Sequence, residues 1–324
     1  MTLRPDNATT FGFRIVGPTS NDRRLINWPA AFGAYADCDT RAEIEREAYL
    51  SAFCFGDDFA EHLNRFGSVR GFEGATWSPW VWFDIDRPNL DAAVADCRRL
   101  VAGIEDRYRL DDGVLVFFSG SKGVHCGLPT SLFGDVCGST SFHLTARRFA
   151  ETTAARHGVV IDTGVYDRVR PFRAPNSRHP KTGRHKRRLT AGELLHLNAG
   201  RIVELAANPE PFEVPDPPES DDIAAADWRE AVEAVERDRI ANRQRRESKE
   251  PARLNRATLA FIRDGATEGD RHRLLFSAAA NLAEFGCSAD LAFSLLGEIA
   301  LDSGLSPSDV RRQIALGLAH TKGE

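Results

Sequence analysis

The first two-thirds of the chain alternate strand-like and helix-like spacings of apolar residues, and the last third holds only helical ones. Tyr49 to Phe55 reads as a strand, and Asp57 to Phe66 as a helix opening on acidic residues. Trp80 to Ile85 predicts a strand, and Leu90 to Leu110 a helix with apolar positions at Leu90, Val94, Leu100, Val101 and Ile104. Val114 to Phe118 is apolar throughout, the pattern of a strand inside a sheet. Val124 to Leu128 follows it across a Gly-rich turn. Ser139 or Thr140 is placed to cap a helix running to about His157, and Thr190 to cap another from Ala191 with Glu193 in its first turn.

Asn208 to Ser220 (NPEPFEVPDPPES) is Pro-rich and acidic, a linker by composition. Beyond it, Asp221 to about Ser248 predicts a long, charged, mostly solvent-facing helix. Helical spacings follow at Ala252 to Arg263, Arg271 to Phe285, Ala289 to Leu301 and Pro307 to His320, with Gly265, Gly286 and Gly304 at their ends. The pattern predicts an α/β domain over residues 1–207, a linker over 208–220 and an all-helical domain over 221–324.

Composition narrows the class. Hydrophobic residues make up 42% and charged residues 27%, an ordinary globular mix. No apolar stretch approaches the roughly 20 residues a spanning helix needs. Met1 to Thr10 is polar and lacks the apolar core of a signal peptide. These features predict a cytoplasmic protein with no membrane partner. Cys38, Cys54, Cys97, Cys126, Cys137 and Cys287 form no C-x-x-C pair, so buried free thiols are expected and neither zinc nor a disulfide framework is. The net charge of −5 does not suggest a nucleic-acid binder, yet Arg168 to Arg188 holds nine basic residues and no acidic one. Such a concentration in an acidic chain points to a local anion site.

Three motifs carry candidate chemistry. Asp84-Ile85-Asp86 ends an apolar strand, and alternation puts both carboxylates on one face, away from Val81, Phe83 and Ile85. Two ionised acids side by side call for a cation, and oxygen ligands suit Mg²⁺ or Mn²⁺. Taken alone D-x-D is common, and solvated acids at a strand end read the same way. Ser119-Gly120-Ser121-Lys122-Gly123-Val124-His125 is a turn whose glycines let backbone N–H groups approach an anion. Ser121 and Lys122 add donors there, and His125 faces away from Val124 and Cys126. A plain hairpin with a half-buried histidine fits those residues as well. The spacing is not that of a Walker A loop. In the third motif Asp162 follows the apolar run Val159 to Ile161 and leads into Arg168, Arg170, Pro171 and Arg173. Pro171 restricts the segment to an edge strand or a bulge, and guanidinium forks suit the oxygens of a triphosphate.

In this order the motifs FDID, SGSKGVH and IDTGVYDRVRPFRAPNS resemble those of the archaeo-eukaryotic primases, closest to the primase-polymerase branch. SGSKGVH is also similar to the matching turn of bacterial end-joining ligase polymerase domains. The resemblance covers about residues 45–207. It implies a modified RRM-like sheet joined to a further α/β unit, and a template-directed nucleotidyltransferase acting on single-stranded DNA template and primer with nucleoside triphosphates. It implies Asp84, Asp86 and Asp162 as catalytic ligands of two Mg²⁺ or Mn²⁺ ions. Ser121, Lys122, His125, Arg170, Arg173 and Lys181 would bind the nucleotide. Some members carry a serine where this chain has Gly123. The C-terminal helices are similar in pattern to small helical domains that follow primase cores in mobile elements, and a separately encoded helicase or ligase is an implied partner. Alternatives are a gap-filling or end-joining polymerase that does not prime, a D-x-D glycosyltransferase, and a non-catalytic DNA-binding accessory protein.

Overall fold

The computed structural model describes residues 10–110, 113–247 and 253–320. The N-terminal segment read as lacking a signal peptide, apart from Thr10, and the expected helix ends at Ser248 and Ala252 lie outside these residues. The chain divides into two compact units, Met1–Ile240 and Ala241–Glu324.

The first unit is α/β, as the spacings predict, and holds two antiparallel four-stranded sheets. One is built from β1 (Phe11–Val16), β2 (Arg24–Asn27), β3 (Ala48–Ser51) and β7 (Pro171–Arg173), in the order β2-β1-β3-β7. The other is built from β4 (Trp80–Asp86), β5 (Leu115–Phe118), β6 (Gly123–Pro129) and β8 (Arg187–Leu189), in the order β4-β6-β5-β8. β5 is interior and buried at every residue, as its unbroken apolar run predicts. β7 is an edge strand, since Pro171 has no N–H for a further partner. The predicted strand over Tyr49 to Phe55 is shorter, ending at Ser51.

Helices pack around these sheets. They are α1 (Trp28–Ala36), α2 (Asp57–Phe66), α3 (Leu90–Tyr108), α4 (Phe142–Arg156), α5 (Ala191–His196) and α6 (Ala199–Leu205). Asn89 caps α3 by accepting from the Ala92 amide, and Thr190 with Glu193 forms the expected capping box of α5.

The predicted linker and domain boundary differ from what the structure shows. The Phe212 amide donates to the Ala36 carbonyl, and the Phe212 ring packs on Phe32 and Phe117. Residues 208–220 are thus tied to the first unit. Helix α7 (Asp222–Glu247) is mostly exposed, but Ala224, Trp228, Ala231 and Val235 form a buried stripe along one face. Trp228 stacks on Phe133 at 4.7 Å and meets Phe142 and Phe149. This aromatic cluster draws the start of α7 into the α/β unit and moves the boundary from about 220 to 240.

The second unit holds α8 (Arg256–Asp264), α9 (Arg271–Ala283), α10 (Ala289–Asp302) and α11 (Pro307–His320). Phe261, Leu275, Leu282, Leu296, Val310 and Ile314 fill its own core. Among the described residues of the chain no helix is long and apolar enough to cross a membrane.

Candidate active site

The β4–β6 pair brings the first two motifs together. Asp84 lies opposite His125 and Asp86 opposite Gly123, and Phe117 continues the row beyond His125. Alternation sends Trp82, Asp84 and Asp86 to one face of the sheet and Val81, Phe83 and Ile85 to the other. The second face packs on α3, where Cys97 Sγ lies 3.2 Å from Cys126 Sγ. The first face meets β7: Phe172 stacks on the His125 ring at 4.4 Å between centroids and sits 5.3 Å from Trp82.

Asp162 arrives by another route than the strand end its sequence context suggests. It caps a single 3-10 turn over Thr163–Tyr166, its Oδ1 accepting from the Gly164 amide over 2.8 Å. Its own amide donates to the Asp84 carbonyl over 2.8 Å. A Cβ on Gly164 would lie 3.1 Å from Asp162 Oδ1 and 3.6 Å from Arg170 Nη2, so the acid and the guanidinium flank this bare glycine. Burial first, and then the charges of Asp162 and Asp86, push the Asp84 carboxyl up to about 7 against the opposing pull of Lys186 and Arg170.

His125 is 7% exposed. Burial, reinforced by the charges of Lys186 and Arg173, holds its pKa well below the usual value, so the ring is neutral. Nε2 lies 3.5 Å from Asp84 Oδ1, and the buried Nδ1 has no hydrogen-bond partner. An unmet buried polar atom costs about 1–3 kcal/mol, which a hydrogen-bonding partner of the right polarity would recover. Arg173 is in a similar state. Its Nη2 donates to Tyr49 Oη over 3.2 Å, and the guanidinium lies 5.0 Å from the centre of the Tyr49 ring. Its Nη1 is buried without a partner.

The Gly-rich turn closes through paired bonds between Ser119 and Gly123. Gly120 has φ +91°, and a Cβ there would come within 3.1 Å of the Arg184 carbonyl, so the position needs glycine. Gly123, where some primases carry serine, faces the β4 backbone: a Cβ would sit 3.1 Å from the Ile85 carbonyl. Lys122 Nζ lies 3.5 Å from Asp86 Oδ2. Thr182 Oγ1 donates to the Gly120 carbonyl over 2.5 Å, which sets the loop carrying Lys181 against the turn. Among the described residues, neither Ser121 nor Lys181 has a hydrogen bond or ion pair to Asp84, Asp86 or Asp162.

The basic run is not one continuous anion strip. Arg187 is buried against Glu193 and Glu210, acids that lie outside the run. Arg168, expected to share a face with Arg170, instead donates to the Thr140 carbonyl over 3.1 Å. The segment before Pro171 is bent rather than extended, so the two side chains diverge. Sequence reasoning missed Lys186. It is 1% exposed, and its Nζ donates to the Arg173 carbonyl over 2.8 Å. The ammonium is bounded by Phe172, Phe117 and Trp82 at 4.2, 4.9 and 5.4 Å from the ring centres. No pattern distinguishes it from its basic neighbours.

Among the described residues no group of three His, Cys, Asp or Glu side chains is disposed to hold one metal ion. The donor chemistry nevertheless fits a hard divalent cation. Three carboxylates lie within electrostatic reach, and Asp84 bears the cost of their repulsion.

No family model matches the chain, and no curated protein matches it in sequence. Among solved structures it is similar to primase RepB′, at 14% identity over 98% of this chain and 95% of that one, with a TM-score of 0.35. It is also similar to the AEP domain of the cyanophage S-2L primase-polymerase, at 17% identity over 61% of this chain and 89% of that one, with a TM-score of 0.33.

Proposed function

We propose that the chain is a template-directed nucleotidyltransferase of the primase-polymerase kind. It joins a 3′-hydroxyl to the α-phosphorus of an incoming nucleoside triphosphate on single-stranded DNA. The observation that carries this reading is the convergence of Asp84, Asp86 and Asp162 with Arg170, and of His125 with β7, where Arg173 and the histidine each hold an unmet buried nitrogen.

Each residue has a part that its surroundings support. Arg173, propped by Tyr49, turns Nη1 to phosphate oxygens, and Arg170 beside Asp162 adds a second fork. His125, neutral and clamped by Phe172, holds its ring in a fixed direction beside Asp84, so its polar edge costs no reorganisation when the nucleotide binds. Lys122 stands at the exposed rim beside Asp86 and offers a mobile charge. Asp84, Asp86 and Asp162 would hold Mg²⁺ or Mn²⁺, which would lower the pKa of the attacking hydroxyl and neutralise the leaving pyrophosphate.

Incubating the protein with nucleotides on single-stranded DNA, with and without a supplied primer, tests the proposal. Templated products on both substrates are expected. Extension alone makes it a gap-filling or end-joining polymerase, and no incorporation on either overturns the reading.

A further inference from the structure

Lys186 is a fully buried amine, its pKa held well below the usual lysine value first by burial, and the chemistry above leaves it unused. Taking an ammonium out of water costs several kcal/mol even after the protein relaxes, and a methionine of similar shape would fill the same aromatic cage without that cost. The surroundings return only part of it: one hydrogen bond to the Arg173 carbonyl, three ring faces and the attraction of Asp84, opposed by Arg173. Stability does not account for the residue.

Its position does. Lys186 immediately precedes β8, in the second sheet's part of the chain, and it contacts Trp82 of β4 and Phe117 of β5. Its one acceptor belongs to Arg173 of β7, in the first sheet. β7 is three residues long, lies at a sheet edge and begins with Pro171, so its ladder to β3 is short. The bond from Lys186 ties the backbone of Arg173 to the sheet that bears Asp84 and His125.

We propose that Lys186 is a positioning residue, whose Nζ donates to the Arg173 carbonyl and so fixes the Arg173 guanidinium relative to Asp84 and His125. The inference rests on the proposed function for what Arg173 binds, but not for the mechanical tie itself. Without this bond β7 keeps its register, pinned by the Ala52 amide on the Arg170 carbonyl and the Ala174 amide on the Ala48 carbonyl. The Arg173 carbonyl, however, loses its tie to the second sheet, and the guanidinium its fixed placement relative to Asp84 and His125.

The test uses the full chain carrying Lys186→Met and, separately, Lys186→Gln, which keeps an N–H donor without the charge. Three quantities are measured: thermal midpoint, hydrogen exchange of the Phe172 to Ala174 amides without nucleotide, and affinity for a fluorescent nucleoside triphosphate. Lys186→Met is expected to keep or raise the midpoint, to speed exchange in that segment, and to weaken the triphosphate by about tenfold or more, as loss of a ligand's supporting partner does. Lys186→Gln is expected to recover part of both the protection and the affinity. A lowered midpoint with exchange and affinity intact makes Lys186 a structural residue and overturns the inference, as does a Lys186→Gln variant no better than Lys186→Met. If the wild type binds no triphosphate, the proposed function fails, and the exchange data alone decide the tie.

Discussion

The Asp162 amide donates to the Asp84 carbonyl over 2.8 Å, so two carboxylates from distant parts of the chain share one end of β4. Burial and that neighbour raise Asp84 to about 7. In the folded protein Asp84 therefore keeps a proton that the unfolded chain releases near pH 4. The stability it contributes is complete below about pH 4 and is lost as pH rises through about 7, a span on the order of 4 kcal/mol. Asp84→Asn removes this slope. Denaturant unfolding of metal-free protein from pH 4 to 8 should give a flatter curve for the variant, and parallel curves would contradict the assignment.

The same repulsion makes the apo protein responsive to divalent ions. At a concentration about 100 times the dissociation constant, binding to the folded state alone adds about 2.7 kcal/mol. Mn²⁺ should therefore raise the thermal midpoint, more at pH 8 than at pH 5, where Asp84 holds its proton. Asp86→Asn and Asp162→Asn should each reduce the rise, and EDTA should reverse it. Equal rises in wild type and variants would place the ion elsewhere.

His125→Ala and Arg173→Ala are expected to act through the nucleotide. Hydrogen bonds to charged groups are worth about 1.5–3 kcal/mol, so triphosphate affinity should fall roughly tenfold or more in each. Equilibrium binding of nucleotide and of DNA separates two roles. Unchanged nucleotide affinity with weakened DNA binding would make the β7 arginine part of a template track.

The packing of Trp228 sets where the chain can be shortened. Trp228→Ala removes an indole from between Phe133, Phe142 and Phe149 and should cost about 3–5 kcal/mol. A chain ending near Ser220 loses the same packing, whereas one ending at Ile240 keeps it. We expect the chain ending at Ile240 to extend primers and to lose most initiation, because initiation must also place a second nucleotide on a template with no duplex to grip. Equal loss of both activities would make the second unit a structural support, and no loss of either a docking module.

Much of the site was legible because local rules place it. Asp84 and Asp86 end a strand that the apolar run Trp80 to Ile85 announces, and His125 faces them by simple alternation from a turn that needs Gly120. Pro171 marked an edge strand correctly. What depends on distant partners was not legible. Asp162 sits at the site through a backbone bond to Asp84, not through a strand of its own. Arg168 and Arg187 turn to Thr140, Glu193 and Glu210, which no local pattern reveals. The alternation of Phe11 to Val16 went unread, and with it the first sheet that presents Phe172 and Arg173. Trp228 lies in a helix so charged that four buried positions barely mark its inner face.

Nucleotidyl transfer that depends on the three acids is measured directly by primer extension with wild type, Asp84→Asn, Asp86→Asn and Asp162→Asn in Mn²⁺ and in Mg²⁺. Supporting partners of metal ligands already cost about 10–100-fold when removed, so loss of a ligand itself should cost roughly a hundredfold or more. Metal-dependent extension by the wild type and near-complete loss in all three variants, each still folded, are expected. Extension by any of the three at near wild-type rate would contradict the dependence on the three acids.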